Sequence, residues 1–264
     1  GVEIQCNVII GKTITMDQLM GEMGFKAVFI GTGAGLPSFM GIPGENLNGV
    51  YSANEFLTRV NLMGGYKFPH GAATPVKKIK RIAVIGAGNT AMDSARTSKR
   101  LDPEVVYLVY RRSRLEMPAR VEEIHHAEQE GIDFNLLHSP IEIVDDGKGA
   151  VGAIRCQEME LGEPDDSGRR RPVPIEGSET LMETDMVITA IGQSPDISFT
   201  AQLEQQLAGL KTTRWNTIEV DPATGGLRSL RLRESGVNVV EAHRPAAVLE
   251  YAVERPHGMS SWFL

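Results

Sequence analysis

The sequence predicts an α/β fold built around a doubly wound parallel sheet. Two observations lead there. Short apolar, β-branched runs alternate with helix-length patterned stretches, which is the signature of strand–helix–strand units. One of those runs, Ile82 to Ile85, ends in Gly86-Ala87-Gly88-Asn89-Thr90-Ala91, and a helix pattern follows at once. A Gly-x-Gly-x-x-Ala turn between strand and helix has a known chemical use. Gly86 serves the tight turn, Gly88 lets a pyrophosphate approach the backbone, and small Ala91 lets helix and strand pack closely. The pyrophosphate would sit on the helix N-terminus, beside Asn89 and Thr90, where unpaired N–H groups favour negative charge. A plain glycine-rich turn is the alternative.

The next strand, Val105 to Val109, bears on which dinucleotide would fit. An NAD site usually has Asp or Glu at this strand end, holding the ribose 2′-OH. Here the chain reads Tyr110-Arg111-Arg112 and then Arg114. Arginines bind a 2′-phosphate through charge-assisted hydrogen bonds, whereas a carboxylate would repel it. Alone, such a run would read as a solvated surface. After the glycine turn, Arg111 and Arg112 read as an NADPH site.

The remaining elements follow in order. Val2 to Ile10 alternates like a strand, and Thr15 can cap a helix from Met16 to Met23. Ala27 to Ile30 reads as a buried strand ending in Gly31-Thr32-Gly33-Ala34-Gly35. Pro37, Pro43 and Gly44 make a loop. Ser52-Ala53-Asn54-Glu55 is a capping box opening a helix from Ala53 to Leu62. Gly64, Gly65, Pro69, Gly71 and Pro75 form a linker. Beyond the arginines, Pro118 starts a helix to about Glu130, and Phe134 to Leu137 reads as a strand. Ile141 to Val144 and Val151 to Met159 read as two strands of a meander, the polar stretch Gly162 to Gly177 as a hairpin loop, and Asp185 to Ile191 as a strand reaching Gly192. These readings divide the chain into 1–76, 77–182, 183–224 and an atypical tail, 225–264.

The chain has 264 residues and a net charge of −7, which argues against nucleic acid or an anionic membrane surface as partner. No apolar stretch approaches the ~20 residues a membrane span needs. The start does not read as a signal peptide. Cys6 and Cys156 are too few for an iron–sulfur cluster, read as buried apolar fillers, and fit a reducing cytoplasm. His125 and His126 read as a solvated helix face rather than a metal site. No nucleophile or acid–base pair is evident.

Several motifs occur in a specific order: Val28-Phe29-Ile30-Gly31-Thr32-Gly33-Ala34, the Gly86–Asp93 turn, Tyr110-Arg111-Arg112 with Glu116-Met117-Pro118-Ala119, and Thr189-Ala190-Ile191-Gly192-Gln193-Ser194-Pro195-Asp196. Over residues 1–224 the chain resembles the small (beta) subunit of NADPH-dependent glutamate synthase. It is also similar to the related NADPH:ferredoxin transhydrogenase/sulfide dehydrogenase and dihydropyrimidine dehydrogenase flavoprotein module. The resemblance implies a Rossmann-like NADPH-binding domain inserted into an FAD-binding domain, here a partial one. Gly31, Thr32 and Gly33, with Ala190, Ile191 and Gly192, would belong to the flavin-side connections. Hydride would pass from NADPH to FAD and electrons onward through iron–sulfur clusters of the intact protein. The partner would be a glutamate synthase large subunit or a ferredoxin-type acceptor. The first FAD fingerprint and a Gly-Gly-Asp flavin motif are not found in these 264 residues, so the chain by itself is expected to lack FAD.

Overall fold

A computed structural model of the chain describes residues 2–29, 31, 33–72, 74–76, 79–165 and 168–195, and strand backbone at 207–208, 230–232 and 238–240. Among these, 37–192 form one compact unit, and 2–36 with the residues from 193 onward form another.

The larger unit is organised by a five-stranded parallel sheet. Its strands are β2 (Val50–Ser52), β3 (Arg81–Ile85), β4 (Val105–Tyr110), β5 (Asp133–Leu136) and β9 (Met186–Thr189), in the spatial order β2-β9-β3-β4-β5. Helix α2 (Asn89–Lys99) connects β3 to β4, and α3 (Val121–Gln129) connects β4 to β5. These are successive βαβ units, which a right-handed crossover packs onto one face of the sheet. The period-2 geometry of a strand then divides β3 between two cores. Ile82 and Val84 join the helical face with Phe56, Met92, Leu108 and Ile124. Ala83 and Ile85 face the other way, with Val109, Ile154, Cys156 and Val187.

That second face is not covered by helices, which departs from the doubly wound expectation. It is covered by a three-stranded antiparallel sheet of β6 (His138–Asp145), β7 (Val151–Pro164) and β8 (Arg170–Glu183). The polar stretch Gly162 to Gly177 is mostly strand rather than loop. Pro172 and Pro174 lie opposite Leu161 and Met159 in the ladder. Strand β8 has a neighbour on one side only, so a residue without an N–H is tolerated there.

Helix α1 (Ala53–Leu57) starts as its capping box directs: Ser52 Oγ accepts from the Glu55 N–H at 3.2 Å. The box is half used, because the Glu55 carboxylate pairs forward with Arg59 instead. The helix continues as a π-helical turn, Thr58–Leu62. Arg81 at the start of β3 is tied to Asp185 at the start of β9 by its backbone N–H and two guanidinium nitrogens, at 2.8–3.2 Å. The Arg81 guanidinium holds the Asp185 carboxyl below the usual carboxylate range. Leu36–Pro37 (β1) and Gln193–Ser194 (β10) are two-residue strands, and within the larger unit the Ser38 N–H donates to the Gly192 carbonyl at 3.0 Å.

In the other unit, Thr15 and Gln18 form a reciprocal cap, each accepting the other's backbone N–H at 3.2 and 3.0 Å. The turn that follows, Gln18–Glu22, is π-helical. The strands expected at Val2 to Ile10 and Ala27 to Ile30 are not formed among the described residues. Val2, Ile4 and Phe29 are largely exposed. An alternating pattern becomes a strand only where another strand satisfies its backbone groups. Strands β11 (Leu207–Ala208), β12 (Leu230–Leu232) and β13 (Asn238–Val240) form an antiparallel sheet in order. Cys156 is buried as expected, and burial pushes its thiol up to about 12. Cys6, expected to be buried, is exposed, since no strand forms around it.

Candidate dinucleotide site

The turn between β3 and α2 uses its two glycines differently. Gly86 has φ +129°, and a β-carbon there would run into the Ala190 carbonyl. Ala190 is brought to this place by its own N–H, which donates to the Ile85 carbonyl at 2.8 Å. Gly86 in turn donates to the Val109 carbonyl at 3.0 Å. Gly86 is thus required by the protein itself, where β3, β4 and the segment after β9 converge. Gly88 is not. Its φ is −83°, and a β-carbon there would meet no heavy atom within 4 Å.

What lies at Gly88 is a set of donors. Helix α2 begins at Asn89, and the Ala91 and Met92 N–H groups bond back to the Gly88 carbonyl at 2.9 and 3.1 Å. Among the described residues, the N–H groups of Gly88, Asn89 and Thr90 take no backbone acceptor. Open space beside unpaired N–H groups at a helix N-terminus fits an anion that approaches the main chain closely. Ala91 is fully buried against the sheet, as close helix–strand packing needs. Thr90 is exposed, and its carbonyl accepts from Ser94 Oγ.

The loop after β4 is braced onto this turn. Asn89 Oδ1 accepts from the Arg120 N–H at 2.9 Å, and the Ala119 N–H donates to the Ala87 carbonyl at 3.1 Å. The Asn89 side chain therefore holds the loop. The pattern alone did not reveal this role, because its partner lies 31 residues away. Tyr110 Oη donates to the Glu116 carbonyl at 2.8 Å, and Ser113 Oγ meets Glu116 Oε2 at 2.5 Å. These bonds curl the chain so that α3 starts beside the start of α2.

The three arginines of the strand end separate. Arg111 is exposed and has no ion pair or hydrogen bond among the described residues. Arg114 pairs with Glu128, whose carboxyl is held below its usual range by that guanidinium. Arg112, expected beside Arg111 at a phosphate, is instead buried. Its Nε donates to the Arg170 carbonyl at 2.7 Å, and its Nη2 donates to Asp165 Oδ2 at 2.6 Å. Asp165 directly follows β7, and Arg170 opens β8. The sequence around them shows only a polar hairpin loop, because the pairing with Arg112 spans 53 residues.

Ala190, Ile191 and Gly192 continue from β9 at the same sheet end as Gly86. Ile191 is partly exposed, and Gly192 has φ +120°. Gly31 and Gly33 lie in the other unit. A β-carbon on Gly31 would press on the Phe29 ring, and Gly33 has φ +68°. Thr32 lies outside the described residues.

A parallel sheet whose first βαβ turn offers glycine space and free N–H groups defines a dinucleotide-binding domain of the Rossmann class. A model of the pyridine nucleotide-disulphide oxidoreductase family matches residues 5–225, and the chain belongs to that family. It is 42% identical over 227 residues to the beta subunit of the NADP(+)-dependent formate dehydrogenase of Moorella thermoacetica, covering 85% of this chain and 29% of that protein. It is 40% identical over 220 residues to the beta subunit of the NADPH-Fe(3+) oxidoreductase of Geobacter sulfurreducens, covering 83% and 30%. Against the NADPH glutamate synthase small chain of Escherichia coli the identity is 36% over 199 residues, covering 74% and 41%. The chain thus spans under a third of the first two relatives. Among solved structures, Mycobacterium tuberculosis FprA in complex with NADPH superposes with a TM-score of 0.59 at 20% identity, over 83% of this chain and 57% of that one, a likeness of fold. No helix among the described residues is long and apolar enough to cross a membrane.

Proposed function

We propose that this chain carries the NADPH-binding domain of a flavoprotein oxidoreductase, in which electrons leave NADPH by way of FAD. The observation that carries the reading is the open space at Gly88 beside N–H groups at the start of α2, which, like Arg111 at the end of the next strand, have no partner among the described residues. When bound, NADPH supplies hydride and FAD the means of splitting it into single electrons. The residues of this chain bind and orient. The Gly88, Asn89 and Thr90 N–H groups would receive the pyrophosphate, and Arg111 the 2′-phosphate. Ala91 keeps α2 close to the sheet, and Asn89 fixes the loop that borders the site. Assignment of Gly31, Thr32, Gly33, Ala190, Ile191 and Gly192 to the flavin side rests on the resemblance.

Replacing Gly88 by Val tests the reading, because the side chain would fill the space needed by the pyrophosphate. A folded variant that no longer binds NADP+ in titration calorimetry supports it. Retained affinity would reduce Gly88 to a turn residue.

The electron acceptor is a further proposal. Glutamate formation from glutamine and 2-oxoglutarate, through iron–sulfur clusters and a large partner subunit, is one reading. The higher identities to the formate dehydrogenase and Fe(3+) oxidoreductase beta subunits favour a second, electron transfer to a different redox subunit or a ferredoxin-type acceptor. NADPH-driven ferredoxin reduction without glutamate formation, in the full-length protein with its partner, would decide for the second. We place the reaction in the cytoplasm, where NADPH is available.

A further inference from the structure

We infer that Arg112 is a positioning residue through which Asp165 and Arg170 set the preference for a 2′-phosphate, acting on Arg111. The inference rests on the NADPH reading above.

The geometry is that of a clamp. The Arg112 side chain is 7% exposed, and its guanidinium is held by two acceptors. Nε reaches the Arg170 carbonyl at 2.7 Å and Nη2 reaches Asp165 Oδ2 at 2.6 Å. The Arg112 carbonyl accepts the Leu137 N–H at 3.2 Å, so the residue is also fixed by its backbone. The described residues beside Asp165 and Arg170 are themselves hydrogen-bonded. The Asp165 N–H donates to the Arg169 carbonyl at 2.7 Å, and the Gly168 N–H donates to the Asp165 carbonyl at 2.8 Å. The Arg170 side chain returns to the Gly162 and Leu161 carbonyls on β7.

A phosphate ligand would be poorly served by Arg112. It would have to approach a buried guanidinium that already faces a carboxylate, and the carboxylate would repel it. Arg111 has neither handicap. It is the next residue along, with adjacent Cα atoms 3.8 Å apart, so anything that moves the Arg112 backbone moves Arg111. Guanidinium–phosphate bonding depends on the direction of the planar fork, so a small displacement of Arg111 weakens it. The ribose and adenine of either dinucleotide would not sense the change.

The test is titration calorimetry of the 264-residue chain with NADP+ and with NAD+, in wild type, Asp165→Ala, Arg111→Ala and the double variant. Positioning through Arg111 weakens NADP+ binding of Asp165→Ala roughly tenfold, in the range of couplings between neighbouring residues. NAD+ affinity stays unchanged, and adding Asp165→Ala to Arg111→Ala causes no further loss. Tighter NADP+ binding in Asp165→Ala would overturn the inference, because it would mean that Asp165 had been competing with the phosphate for Arg112. Unchanged NADP+ binding, or equal losses for both dinucleotides, would overturn it as well. A wild type that binds both dinucleotides equally would remove the NADPH reading first and the inference with it. If Asp165→Ala does not fold, Asp165→Asn keeps an acceptor without the charge. A smaller, NADP+-specific loss is then expected, and an unchanged NADP+ affinity would count against the clamp.

Discussion

The carbonyl oxygen of Ala190 stands where a β-carbon on Gly86 would have to go. Both atoms belong to main chain pinned by hydrogen bonds, Ala190 to Ile85 and Gly86 to Val109. Neither can yield cheaply. Gly86→Ala should therefore destabilise the chain by roughly 2–4 kcal/mol, combining a positive-φ penalty with a backbone clash. Gly88→Ala should stay within about 1 kcal/mol of wild type, since it precedes the helix with ordinary φ and open surroundings. Urea unfolding of the two variants checks the contrast. Equal losses would mean that the two glycines share one structural task.

Acid should weaken the junction between β3 and β9. Bonding to Arg81 lowers the Asp185 carboxyl below its usual value of about 3.9. A carboxyl whose pKa is lower in the folded state contributes stability that is fully present above its unfolded value. That contribution is lost as pH falls through the folded one. Asp185→Asn should lower stability at neutral pH and flatten the decline below about pH 4. Thermal unfolding between pH 3 and 7 measures this. An identical pH slope in variant and wild type would exclude the pair as a source of acid sensitivity.

The thiols should differ in reactivity. Cys156 lies fully buried in the core between the two sheets, with its thiol pushed up to about 12, whereas Cys6 is exposed. Thiolate is the reactive form, so iodoacetamide at pH 8 should add one label to the native chain and two after unfolding. Mass spectrometry counts them. Rapid double labelling of the native chain would contradict the burial of Cys156.

The βαβ unit was legible because its signals are local. Gly86, Gly88 and Ala91 lie within six residues, and the strands before and after them are uninterrupted apolar runs. The Ser52 and Thr15 caps were legible for the same reason, each partner being three residues away. Long-range pairings were not. Nothing in the local composition of Asp165 or Arg170 identifies Arg112 as their partner, and nothing in Asn89 identifies Arg120. On the second face the meander of β6 and β7 was legible as two apolar runs, but its third strand, β8, was not, because Pro172 and Pro174 mimic a loop, although an edge strand accommodates them. Val2 to Ile10 failed in the opposite sense. Its alternation reads as a strand, but no strand pairs with it among the described residues.

The central claim is that the end of β4 selects NADPH, and comparing NADP+ with NAD+ affinity in wild type and Arg111→Ala tests it most directly. A charge-assisted hydrogen bond contributes ~1.5–3 kcal/mol, and 1.4 kcal/mol is about tenfold in affinity. Wild type should prefer NADP+, and Arg111→Ala should lose roughly 10- to 150-fold for NADP+ while keeping its NAD+ affinity. Equal affinities in wild type, or equal losses for both dinucleotides in the variant, would contradict the assignment of Arg111 to the 2′-phosphate.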